Sequence, residues 1–147
     1  MDEAGPPPPA GTRAEPHRLV NPAELAPAVG FSHAVVAAPG RTVYLGGQTA
    51  QRPDGTIAGA TLSEQFDLAL ANVVTALRAA GGEPGHLVSV LIYTTDAAAY
   101  RARLRELGEI YRRHCGRHYP AMALFEVTGL FDPAAMIELV GTAVIPG

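Results

Sequence analysis

Glu138 stands within Met136-Ile137-Glu138-Leu139-Val140, a run that is otherwise apolar. A carboxylate in such a run is rarely buried without a partner. Two readings follow. It pairs with an arginine or reaches a subunit rim, or it sits in a desolvated pocket with a raised pKa and works as a general acid/base. His114, Cys115 and His118 form a second cluster, its histidines at the i, i+4 spacing that a metal accepts on a helix. Gly116 ends the helix between them and no fourth ligand stands nearby, so the sequence predicts no metal site. Histidine and arginine at that point suit a helix C-terminus. Six arginines lie in 101–117: Arg101, Arg103, Arg105, Arg112, Arg113 and Arg117. Arg105–Glu109 and Glu109–Arg113 are i, i+4 pairs of the kind a solvated helix face carries. No aromatic residues interleave with them as a base-stacking platform requires. Gly46-Gly47-Gln48 follows a strand and opens no helix, so it is no phosphate cradle. Glycine there signals a close backbone approach, to a neighbouring strand or to a ligand. The serines form no Ser/His/Asp arrangement.

The elements that position these residues follow from periodicity. His33–Ala37 and Thr42–Gly46 are short β-prone runs around Pro39-Gly40, which predicts a hairpin. A loop with Pro53, Asp54, Gly55 and Gly59 follows. Leu62, Phe66, Leu70, Val73, Val74 and Leu77 fall on one face and predict a helix from about Ser63 to Ala80. Ser63 is its expected N-cap and Gly81-Gly82 its stop. His86–Thr95 is apolar on both faces and reads as a central strand. Residues 98–114 read as a second helix with the stripe Tyr100, Leu104, Leu107 and Tyr111. Two strands, about Ala121–Val127 and Met136–Ile145, close the chain around a turn at Gly129–Pro133. The order is ββαβαββ: an α+β domain, one sheet with two helices on one face. Its other face also carries apolar side chains and should be buried by self-association.

Composition narrows the function. The 147 residues suit one domain that buries about two-thirds of its surface. A formal net charge of −3 argues against nucleic acid or an anionic membrane as partner. No apolar run spans a bilayer. The start, Met1-Asp2-Glu3, has no secretory pattern, and the single Cys115 makes no internal disulfide, so a reducing, cytoplasmic setting is expected. All eleven basic residues are arginines, which removes Schiff-base lysines and the P-loop lysine. Residues 1–17, with Pro6 to Pro9 and Pro16, read as a disordered Pro-rich extension ahead of a domain over 18–147.

Over about 18–146 the chain resembles the Rid family, the YjgF-type reactive-intermediate deaminases. The marks are Val29-Gly30-Phe31-Ser32-His33-Ala34-Val35, Leu45-Gly46-Gly47-Gln48, Gln65 with Asn72, and Tyr93-Thr94-Thr95-Asp96. Tyr119-Pro120-Ala121, Phe125-Glu126-Val127 and Ile137-Glu138 complete them. Their order and spacing are specific where each alone is weak. The resemblance implies a chorismate-mutase-like fold and a barrel-cored homotrimer with a pocket at each subunit interface. It implies hydrolysis of imines and enamines such as 2-aminoacrylate, with no cofactor.

The departures matter more. The arginine that clamps the substrate carboxylate in the deaminases is Met122 here, and their usual cysteine two residues on is Leu124. Their tyrosine is Phe31, and the asparagine one turn after the aromatic of the second helix is Leu104. Glu138 remains where the family's acid orients or activates water, and Gly47 where a backbone group faces the ligand. A charge-assisted hydrogen bond is worth roughly 1.5–3 kcal/mol, so losing the clamp should end selection for small amino-acid-derived imines. Arg117 lies a few residues upstream, in range to swing in. The expectation is a divergent homotrimer with an apolar interface pocket lined by Phe31, Leu104, Met122 and Leu124. It would act by acid/base chemistry (hydrolysis, dehydration or cyclisation) on a larger, less anionic small-molecule intermediate of the imine, enamine or enol type in a specialised pathway, with Glu138 as proton carrier. The alternatives are a non-catalytic small-molecule-binding or scaffold trimer, residual imine deaminase activity, and the ribonuclease activity attributed to relatives.

Overall fold

In the computed structural model, residues 15–147 are described. Six strands and three helices follow one another as β1 (Arg18–Val20), β2 (Ala34–Val36), β3 (Gly40–Tyr44), α1 (Leu62–Ala79), β4 (Leu87–Thr94), α2 (Ala97–Ala102), α3 (Leu104–Cys115), β5 (Ala121–Glu126) and β6 (Ile137–Pro146). A short 3-10 turn, Pro84–His86, leads into β4. The domain is α+β with a mixed sheet. Among the described residues no helix is long and apolar enough to cross a membrane. The predicted extension falls on residues 1–14, outside the described residues, and on 15–17. Of these, Glu15 bonds His118 and His17 is 3% exposed.

The main sheet has the order β3-β6-β4-β5. β6 runs antiparallel to β3 and β4, and β5 runs parallel to β4. The apolar run at His86–Thr95 is therefore an interior strand, as its two apolar faces predict. The predicted hairpin between the first two runs does not form, and the sheet is not single. β2 pairs with β1 in a separate two-stranded ribbon, while β3 pairs with β6. Two contacts separate them. A side chain on Gly40 would meet the Ile145 carbonyl oxygen at 2.1 Å, so glycine lets β3 lie down on β6. His17 accepts the Ala38 N–H at Nδ1, and its Nε2 lies 3.0 Å from the Val144 carbonyl, closing the gap after β2. The ribbon is sewn to β5 by Ser32, whose N–H donates to the Pro120 carbonyl and whose hydroxyl donates to that of Tyr119.

The predicted stripe of α1 is buried as Leu62, Phe66, Leu70, Val73, Val74 and Leu77. Its N-cap is Thr61, which accepts from the Glu64 N–H. Ser63 instead lies buried inside the first turn and donates to Glu106 at 2.9 Å. Gly81 and Gly82 close the helix as predicted, through N–H bonds to Arg78 and Leu77. The second predicted helix breaks at Arg103 into α2 and α3. The break moves Leu104 out of the stripe, 58% exposed, and the buried face runs through Leu107, Ile110, Tyr111 and Cys115. The core lies between these helices and one face of the sheet: Val90 and Ile92 of β4, and Ile137, Leu139 and Ala143 of β6.

Candidate functional site

Strand pairing fixes which side chains share the other face. Directly opposed residues project to the same side of a sheet. Glu138 on β6 opposes Tyr93 on β4, and Tyr93 opposes Phe125 on β5. The residues immediately before and after Glu138, Ile137 and Leu139, are fully buried against the helices, so Glu138, and with it Tyr93 and Phe125, points away from the core. All three sit at one end of the sheet, where β4 and β5 finish and β6 begins. The Tyr93 and Phe125 rings stack at 5.5 Å with 24° between their planes.

A β-bulge shapes the neighbourhood of Glu138. Leu45 bonds to Gly141, and Gln48 exchanges two bonds of 2.8 Å with Leu139. Three steps along one strand thus match two along the other, and the extra residue falls at Gly46-Gly47. The bulge brings Gly47 onto the Glu138 side chain. A Cβ built at Gly47 would lie 2.7 Å from Glu138 Oε1. Glycine at 47 therefore makes room for this carboxylate, the close approach that the sequence signalled. Asn72 of α1 holds the loop by donating to the Thr49 and Gln51 carbonyls. Gln65, buried in the same helix, donates to Gly59 and Ala134 and accepts from the Met136 N–H at 2.8 Å. These two amides fix the bulge and the entry to β6, and with them Glu138.

Among the described residues, nothing hydrogen-bonds or ion-pairs with the Glu138 carboxylate. Of the two readings of this residue, pairing with an arginine is not realised among the described residues. Arg117 is exposed in the turn after α3.

The predicted pocket residues do not converge within one chain. Gly47 and Glu138 are brought together. Met122 and Leu124 oppose the buried Val90 and Ile92, which puts them on the helix side of β5, with Met122 packed on the core. β4 separates β5 from β6. Phe31 precedes Ser32, whose bridge to Ala121 sets it beside β5. Its ring meets that of His33 edge-on at 5.2 Å. Leu104 lies at the start of α3. One surface depression of about 350 Å3, lined by Ala102, Arg103, Arg105, Glu106 and Glu109, holds none of these residues. Sequence reasoning missed Tyr93 and Phe125 as neighbours of Glu138. The phase of alternation in β4 carried the signal, because it separates Tyr93 from Val90 and Ile92.

The other titratable clusters are absorbed by structure. His114 bonds Asp67 of α1 at 2.5 Å, and Arg113 bonds the same carboxylate at 3.3 Å. Partial burial opposes ionisation of Asp67, but the bonds from His114 and Arg113 outweigh it and hold its carboxyl below the usual value. His118 lies between Glu15 and the Leu87 carbonyl, each at 2.7 Å. The two histidines thus serve different partners, and no metal-ligand cluster is found among the described residues. Burial pushes the Cys115 thiol up to about 12.

The comparisons with known proteins agree with the α+β fold. The model of the endoribonuclease L-PSP family matches residues 21–145. A Rid-family protein of unknown function, YyfB from Yersinia pestis, is 32% identical over 88% of this chain and 99% of its own, with a TM-score of 0.80. A YjgF/YER057c/UK114-family member from Mycobacterium tuberculosis is 30% identical over 88% and 99%, with a TM-score of 0.58. A putative endoribonuclease from Thermotoga maritima is 28% identical over 86% and 93%, with a TM-score of 0.64. No curated protein matches the chain.

Proposed function

This chain belongs to the endoribonuclease L-PSP family, the YjgF/Rid proteins, and from that premise we propose that it is an acid/base enzyme acting on a bulkier, less anionic imine, enamine or enol than 2-aminoacrylate. Glu138 is the proton carrier. The observation that carries the reading is a carboxylate with no partner among the described residues, seated against a glycine bulge that makes room for it. Bulges of this kind recur beside active sites, where they re-aim a side chain.

The reaction is hydrolysis, dehydration or cyclisation. In hydrolysis of a protonated imine, water oxygen bonds to the imine carbon while Glu138 takes one of its protons, giving a carbinolamine. Glu138 returns that proton to the nitrogen; the C–N bond then breaks, ammonia leaves, and the carbinolamine hydroxyl gives its proton to Glu138, and thence to solvent, as the C=O forms. Met122 supplies no charge for a substrate carboxylate, so ordinary 2-aminoacrylate hydrolysis is not the main activity. The working unit is a homotrimer. The separation of Glu138 and Gly47 from Phe31, Met122 and Leu124 within one chain supports a pocket that two copies complete, with Leu104 at its border.

Two further readings differ in what they predict. A binding or scaffold trimer would hold the ligand unchanged. A ribonuclease is disfavoured by the net charge of −3 and by Arg103, Arg105 and Arg113, which are paired with Glu106, Glu109 and Asp67. The test is hydrolysis of 2-iminopropionate and of a bulky apolar imine, each generated in situ by an amino-acid oxidase and trapped with semicarbazide. The bulky imine should be accelerated over buffer and 2-iminopropionate little. No acceleration of either, with a ligand that copurifies unchanged, would favour the binding protein.

A further inference from the structure

Two buried histidines, at the other end of β6 from Glu138, make opposite demands on one short segment, Glu15–His17. His17 accepts the Ala38 N–H on Nδ1 at 3.0 Å, so that nitrogen carries no proton. Its Nε2 faces the carbonyls of Val144 at 3.0 Å and His86 at 3.2 Å, so it carries one. The ring therefore fits only in its neutral form. His118 faces an acceptor on each side: Glu15 Oε2 at Nδ1 and the Leu87 carbonyl at Nε2, both at 2.7 Å. The carbonyl requires a proton on Nε2, and a further proton must lie between Nδ1 and the Glu15 carboxylate. Without it, two lone pairs face each other. The titratable groups around the pair do not supply it. Tyr111, on which Tyr119 stacks, donates its hydroxyl to the His118 carbonyl. Cys115 lies against Tyr111, and burial keeps both protonated. Arg78, whose charge reaches Cys115, is bonded to Glu83, and the Glu83 N–H donates to Nδ1 of His86.

We propose that Glu15–His17 is a pH-gated strap, docked on the sheet end only while His17 is neutral and the Glu15–His118 pair keeps its shared proton. The sign differs between the two contacts. As pH falls, His17 gains a proton on Nδ1, loses the Ala38 N–H and becomes a buried cation facing a donor. As pH rises, the Glu15–His118 pair loses its proton, and the bare Nδ1 repels the carboxylate. Each contact holds on the side of the pH range where the other fails, so together they define a window. Release exposes the Ala38 N–H and the Val144, His86 and Leu87 carbonyls to water and frees the start of the chain. The strap is independent of the chemistry assigned to Glu138.

The experiment titrates the full chain, labelled with nitrogen-15 and carbon-13, by NMR from about pH 5 to about pH 9, across the range in which histidines change charge. At neutral pH the ring nitrogens should show His17 protonated on Nε2 alone. The Glu15–His118 pair should hold its proton, on His118 Nδ1 or on the Glu15 carboxyl. The carbon resonances of Glu15 and Pro16 report docking, and should move toward unstructured values at both ends of the titration. Hydrogen-exchange protection of the Ala38 amide should fall about tenfold at the acid end, the loss expected from one buried hydrogen bond. Glu15→Gln offers an N–H to neutral His118, so the alkaline release should vanish and the acid release stay. His17→Gln both accepts and donates without titrating, so it should remove the acid release and keep the alkaline one. A proton on His17 Nδ1 at neutral pH, resonances that stay still across the range, or an alkaline release that survives Glu15→Gln would each overturn the proposal. Glu15 is exposed, so its variant decides even if His17→Gln fails to fold.

Discussion

The two faces of the sheet treat polar side chains in opposite ways. On the helix side every buried polar group has found a partner. Gln65 spends its amide on Gly59, Ala134 and Met136; the Thr94 hydroxyl donates to the Met136 carbonyl; Ser63 donates to Glu106. No buried side-chain nitrogen or oxygen among the described residues is left unbonded. On the open face Glu138 is unbonded beside an exposed aromatic ring, and a bulge has been spent on giving it room. A group that helps fold a protein is satisfied by the fold, because an unmet buried polar group costs about 1–3 kcal/mol. We propose that Glu138 is left unmet because it is kept for a ligand.

The sharpest way to break the contrast is Glu138→Gln. Removing a general acid/base lowers the rate about 10²- to 10⁴-fold. Thermal unfolding should barely move, since no described contact is lost. Gly47→Ala comes next. Its methyl group would crowd the Glu138 carboxylate and displace it, and a misplacement of about 1 Å costs roughly a hundredfold in rate. Because the obstacle is the far end of a flexible side chain, stability should hold, and the effect should vanish when Glu138 is already Gln.

The helix side should show the reverse pattern. Gln65→Ala strands the Met136 N–H and two carbonyls, for a loss of about 2–4 kcal/mol in denaturant unfolding. Activity should fall only as far as the entry to β6 loosens. Asp67 gives a smaller effect. Its carboxyl is held below the ordinary 3.8 when folded, so its contribution is complete above that value and lost as pH falls through the lower folded-state one. Asp67→Asn should flatten that acid limb by no more than about 1 kcal/mol, since the contact is partly exposed. Smallest is Cys115, whose buried thiol should resist alkylation at neutral pH in the native protein and react once it is unfolded.

Much of this was legible in the residues. The spacing of Leu62, Phe66, Leu70, Val73, Val74 and Leu77 announces α1, and the doubly apolar run at Leu87–Thr94 announces an interior strand. The single charge in Met136–Val140 announces Glu138. What local pattern could not carry was partnership across the chain. β3 leaves β2 for β6 because Gly40 fits under Ile145 and because His17, outside any periodic segment, takes up Ala38. Leu104 fits the stripe by spacing, but the break at Arg103 resets the phase. Gln65 and Asn72 were visible as marks of resemblance, and only their reach across 71 and 23 residues explains why an amide is needed.

The central claim is that Glu138 moves the proton. It is tested most directly by the rate of semicarbazide-trapped hydrolysis of a bulky apolar imine, wild type beside Glu138→Gln, on equal amounts of folded protein. The account predicts clear acceleration by the wild type and a rate indistinguishable from buffer for the variant. Equal acceleration by both would contradict it and leave the carboxylate without a role in turnover.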